Sequence, residues 1–223
     1  MKALGGVIGA LCVLQAAVAA GGPAADSGSG GASGSSLPMT VPPVIDDWVP
    51  RTWWQPIDTA YGRVNDDALD DLVVVLQRPQ FAPEDPDWPR GSRALLVLFQ
   101  TARGGWRRGP LVPGLLPCAD CTATLSGTAE SVLFDISIPS QGVVEIGWVQ
   151  RRHSTKAVRL RFGWDSGSRE LMLVADDVSV INPYDGRSRV RRDYRRGVMW
   201  VNGQPRDMPP EQIRIEDVSA AAY

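Results

Sequence analysis

Hydrophobic positions along this chain fall into two patterns, and neither has the three- and four-residue spacing of an amphipathic helix. The first is the short unbroken apolar run. "LVVVLQ" (72–77) and "ALLVLFQ" (94–100) are bordered by Gly, Pro or charged residues, as expected of strands buried on both faces. The second is alternation. "KAVRLRFGW" (156–164) sets Val158, Leu160 and Phe162 against Arg159 and Arg161, the period of a strand with one dry and one wet face.

Turn signals join these runs. "SVLFDISI" (131–138) and "GVVEIGWVQ" (142–150) flank "PSQG", a hairpin turn by composition. "DSGS" leads into "RELMLVADDVSVI", "NPYDGRS" turns the chain again, and "VMWV" runs into Asn-Gly, the tightest hairpin dipeptide. The pattern predicts an all-β domain, or a β-rich one with minor helix: antiparallel sheets in a meander, sandwich- or barrel-like. No repeat at solenoid or propeller spacing is visible.

Residues 1–20, "MKALGGVIGALCVLQAAVAA", place Lys2 before an uncharged apolar stretch that ends in Ala17-Val18-Ala19. That is the three-part form of a signal peptide. Gln15 and the glycines make it a poor membrane span, and Leu11 before Cys12 argues against lipidation. Residues 21–43 are Gly, Ser, Ala and Pro in the main, too little apolar surface to order a backbone, so a disordered tether is expected. The remaining 44–223 is about the size of one domain. An exported chain, periplasmic or secreted, with no transmembrane span after processing is the expectation.

Charge narrows the partners only a little. Without Lys2 the chain carries 22 basic and 25 acidic residues, a balance that points to neither nucleic acid nor membrane. The bases concentrate late: six arginines (Arg187, Arg189, Arg191, Arg192, Arg195, Arg196) occupy ten residues. The first three sit two apart and should line one strand face. They suit an anionic envelope polymer or an acidic protein surface; the plainer account is a solvated edge strand whose charge discourages sheet aggregation.

One segment carries a family resemblance. "GRVNDDALDDLVVVL" resembles the calcium loop of FG-GAP, or integrin-α-like, repeats, G-D-x-N-x-D-G-x-D-D followed by a buried strand. By that resemblance Arg63 stands at the first ligand position, Asn65 at the third, Asp67 at the fifth and Asp71 at the ninth. Ala68 replaces the mid-loop glycine, and Leu69 would offer its carbonyl. The whole mature chain looks like a group of uncharacterised bacterial cell-envelope proteins that pair one such loop with a later PCxxC, here "PCADC" (117–121). A guanidinium cannot coordinate metal, so the loop is expected to be degenerate and ion-free. Arg63 is expected to supply the missing positive charge by bonding Asp67 or Asp71. No cofactor is expected.

The other candidates carry less. Cys118 and Cys121 could be a redox pair, half a zinc site, free thiols or a structural disulfide; an oxidising compartment favours the disulfide. His153, in "QRRHSTK", reads as an exposed loop residue, since no G-x-S-x-G elbow accompanies it. Asp66/Asp67, Asp70/Asp71 and Asp176/Asp177 could in principle flank a glycosidic bond, though adjacent acids are commonly turn residues. Trp48, Trp53 and Trp54 could form a sugar platform, but packing of the N-terminal segment on the sheet is favoured. Together these features describe a non-catalytic binding module of the envelope, with a small carboxylate-dependent glycan hydrolase as the alternative.

Overall fold

In the computed structural model, the described residues are 45, 47–49, 53–85, 87–119, 132–151 and 153–223; the expected signal peptide and tether lie outside them. Four strands form one antiparallel sheet in chain order: β1 (Gln55–Gly62), β2 (Asp71–Gln77), β3 (Arg93–Gln100) and β4 (Trp106–Pro113). Seven form the other, also in chain order: β5 (Val132–Ser140), β6 (Val143–Arg151), β7 (Thr155–Asp165), β8 (Glu170–Asn182), β9 (Gly186–Asp193), β10 (Val198–Val201) and β11 (Gln204–Asp207). The two meanders make an all-β, sandwich-like fold that is not closed into a barrel.

The unbroken runs are explained by what covers each face. Val73, Val75, Leu95, Val97 and Phe99 pack against Ile136, Val144, Ile146, Trp148, Leu160 and Phe162 of the larger sheet. The alternate residues Leu72, Val74, Leu76, Leu96 and Leu98 pack the other way, under Ile45, Val49 and Trp54. The smaller sheet is therefore the middle of three layers, and only its central strands need two apolar faces. Trp54 meets Trp88 edge-on, with ring centroids 5.4 Å apart. Trp48 packs at the margin of that cluster, whereas Trp53 stays 44% exposed, its ring 5.8 Å from the Arg78 guanidinium. Packing rather than a sugar platform accounts for Trp48 and Trp54.

Turn chemistry sets the register of the larger sheet. The β10–β11 hairpin turns through Asn202 (φ 51°) and Gly203 (φ 85°), the two left-handed residues that a two-residue turn requires. β5 and β6 are joined through Gly142 at φ 72°. Strands β1, β4 and β11 gave no clear signal in the sequence, and each lies at the margin of its sheet. β4 contains Gly109, where a Cβ would stand 2.6 Å from the Phe99 ring and 3.0 Å from the Val97 carbonyl oxygen; only glycine lets this strand close on β3.

The chain after β11 crosses back to tie the layers together. Leu173 N–H of β8 donates to the Ile213 carbonyl (2.8 Å). The 3-10 turn Ile215–Asp217 follows, and Ile215 and Val218 enter the inter-sheet core. Ala220 N–H then donates to the Gly114 carbonyl (2.8 Å), just past β4.

Candidate binding surface

The acidic loop between β1 and β2 folds around one carboxylate. Asp71 is fully buried. Its Oδ2 accepts the N–H groups of Val64 (2.9 Å) and Asn65 (3.2 Å), and its Oδ1 accepts that of Gln100 (3.0 Å) at the end of β3. Asn65 Oδ1 accepts from Asp67 N–H and Asp67 Oδ1 from Leu69 N–H (2.8 and 2.9 Å), two successive Asx turns. The loop also reaches the other sheet: Trp164 Nε1 donates to Asp66 (3.1 Å), and Gly142 N–H donates to the Arg63 carbonyl (2.8 Å).

Arg63 does not play the expected part. Its side chain is exposed and makes no ion pair with any described residue, while both oxygens of Asp71 are taken by backbone donors. Oriented N–H dipoles, not the Arg63 guanidinium, face the carboxylate. Burial pushes the Asp71 carboxyl above its ordinary value of 3.8; the three N–H donors pull the other way with less effect, and Asp67 adds a small upward push. Among the described residues no group of three or more His, Cys, Asp or Glu is placed to hold a metal ion.

The outer face of the larger sheet is the other concentration of charge. Strand alternation sends Val158, Leu160 and Phe162 into the core and Arg159 and Arg161 to solvent. Register then fixes their neighbours. Arg159 pairs with Asp177 across to β8, Asp177 with Arg191 on β9, and Arg191 with Trp200 on β10. One row along, Glu145 pairs with Arg161, Arg161 with Ala175, and Ala175 with Asp193.

The ion pairs do not follow those rows. Glu145 serves both Arg159 (3.2 Å) and Arg161 (2.7 Å). Asp177 takes a two-pronged contact from Arg189, and Asp193 lies 3.7 Å from Arg196. Arg191 rests over the Trp200 ring at 5.0 Å. Neither it nor Arg187 has a carboxylate partner among the described residues. A shallow cavity of about 430 Å³ opens here; five arginines, Arg159, Arg161 and Arg191 among them, and four carboxylates line it, with Ala175 and Trp200.

The six-arginine run is thus divided. Arg187, Arg189 and Arg191 share the outer face as alternation predicts. Arg192 is paired with Asp176, whose side chain is wholly buried and also accepts from the Tyr194 hydroxyl (both 2.8 Å). Burial and then the charge of Asp176 push the nearby Tyr223 hydroxyl far up. Arg195 lies across Gly163, outside the cavity. Sequence spacing found the stripe on β9 but not Glu145, Ala175 or Trp200, because cross-strand register was not readable.

The remaining candidates disperse. Asp176 and Asp177 are consecutive in β8 and project to opposite faces. Asp66, Asp67 and Asp71 are each engaged as described above, and Asp70 is exposed. His153 is exposed in the β6–β7 turn, as its context predicts. Cys118 is described, while Cys121 falls outside the described residues. At the seam between the sheets, Asp58 of β1 has its carboxyl pushed up, first by burial and then by the charge of Asp135 on β5. No protein-family model matches this chain, nor does any curated protein or solved structure.

Asp71→Asn should cost about 2 kcal/mol at neutral pH, because an amide presents one acceptor where two buried N–H groups and the half-buried one of Gln100 need two oxygens. Since the folded carboxyl holds its proton to a higher pH than the unfolded one, its contribution is full below 3.8 and declines as pH rises through the folded value. The gap between wild type and Asp71→Asn in denaturant midpoint should therefore widen from pH 7 to pH 4. A gap that closes on acidification would show that the N–H donors outweigh burial.

Proposed function

We propose that this chain is an exported protein of the bacterial cell envelope that binds an anionic partner through the outer face of its seven-stranded sheet, without catalysing a reaction. The observation that carries this reading is the surplus of guanidinium on that face. One carboxylate, Glu145, is shared by Arg159 and Arg161, and Arg187 and Arg191 have none among the described residues. Folding alone would be better served by matched pairs, since opposite charges across strands stabilise and like charges destabilise. The apolar start of the chain supports export. Export in turn makes Cys118 and Cys121 a structural disulfide.

The test is titration of the mature domain with polyglutamate and dextran sulfate at low and high salt. Binding should occur, weaken as salt rises, and fall at least about tenfold in Arg187→Glu/Arg191→Glu, a loss of about 1.4 kcal/mol. Failure of wild type to bind either polymer would overturn the reading. The competing hydrolase reading draws on the Asp58–Asp135 pair; shortening of an envelope glycan incubated with the protein, lost in Asp135→Asn, would favour it. The cysteine assignment is checked separately. Intact mass of unreduced, exported protein should fall two hydrogens short of the reduced chain, and two alkylatable thiols would contradict it.

A further inference from the structure

On β7, β8 and β9 the two neighbouring rows of the outer face are charged at every position but one, the open square at Ala175. Arg161 has Glu145 directly opposite on one side and Ala175 on the other. Ala175 also faces Asp193 and is diagonal to both Arg159 and Arg191, which flank Asp177 one row along. Directly opposite side chains start about 5 Å apart and diagonal ones about 7–8 Å, both within reach of an arginine. An acid at position 175 would have three guanidiniums within reach, with Asp193 directly opposite and Asp177 two residues along its own strand. Alanine leaves that place open, and the cavity of about 430 Å³ lies over it.

Resting on the reading that this face takes an anionic partner, we infer that the depression over Ala175 seats one acidic sugar unit of an anionic glycan, its carboxylate held by Arg161, Arg159 and Arg191. The rest of the wall favours a sugar over an acidic peptide. Asp177 and Asp193 are acceptors for hydroxyl groups. Trp200 is the one aromatic ring in the wall, open to the C–H face of a pyranose once Arg191, 5.0 Å over that ring, swings to the carboxylate. Guanidinium suits the task because its donors engage a carboxylate in two prongs.

The experiment is calorimetric titration of the mature domain with oligomers of galacturonic acid, neutral galactose oligomers and polyglutamate. The uronate should bind, the neutral oligomer should not, and polyglutamate should bind more weakly per charge. Ala175→Glu fills the open square from within. It should reduce uronate affinity at least tenfold and change Tm little, because Asp193 directly opposite offsets the added pair with Arg161. Trp200→Ala, which adds no charge, should weaken uronate about tenfold and leave polyglutamate nearly unchanged. If polyanions bind but Ala175→Glu leaves uronate affinity intact, the arginine face stands as the binding surface and the sugar seat falls. Equal binding of polyglutamate and uronate would also overturn the sugar assignment, in favour of an acidic protein. No binding of any polyanion overturns both.

Discussion

One buried carboxylate organises the place where this fold's layers meet. Asp71 holds the backbone of Val64 and Asn65 at the end of β1's loop and that of Gln100 at the end of β3. From the same loop, Asp66 and the carbonyl of Arg63 reach Trp164 and Gly142 in the larger sheet. Without an acceptor at 71 the buried donors of Val64 and Asn65 and the half-buried one of Gln100 would be orphaned together, and such a loss is costly where water cannot reach. The loop that resembles a metal site in sequence is clamped in the fold by main-chain dipoles on Asp71.

The layering follows from that clamp. β2 begins at Asp71 and β3 ends where Gln100 donates to it, so the two central strands are fixed in register at the loop end. Their apolar residues can then divide between the inter-sheet core and the layer of Ile45, Val49 and Trp54. Burial on this scale, at about 25 cal/mol per Å² of apolar surface, is the main source of stability. The polar clamp contributes little net energy by comparison, but a one-residue slip would send Val73 and Val75 to the wrong side. The larger sheet, wet on its outer face, is freed to carry charge.

Much of the strand pattern could be read from residues alone, because continuous apolar runs and strict alternation report directly on how many faces are covered. β2, β3 and β5 through β10 were legible for that reason, as was the wet stripe of Arg187, Arg189 and Arg191. β1, β4 and β11 were not: they sit at sheet margins, where half-buried or exposed positions tolerate polar residues and proline. The return of Ile215 and Val218 to the core was hidden by the polar residues around them. The partner of Asp71 was misjudged for a more general reason. A sequence shows side chains, so Arg63 looked like the natural counter-charge, whereas backbone N–H groups, which every residue but proline carries, meet that need. The open square at Ala175 was likewise invisible, since it exists only in the register of three strands.

The central claim, that Asp71 and its backbone donors rather than Arg63 hold the loop, is tested most directly by amide hydrogen exchange. Val64, Asn65 and Gln100 should be strongly protected in the wild-type domain, in chelator as in millimolar calcium, and should exchange together. Asp71→Asn should speed all three by at least tenfold, with the β6–β8 amides changing far less, while Arg63→Gln should leave all three unchanged. Rapid exchange of these amides in wild type, or equal acceleration by Arg63→Gln, would contradict the account.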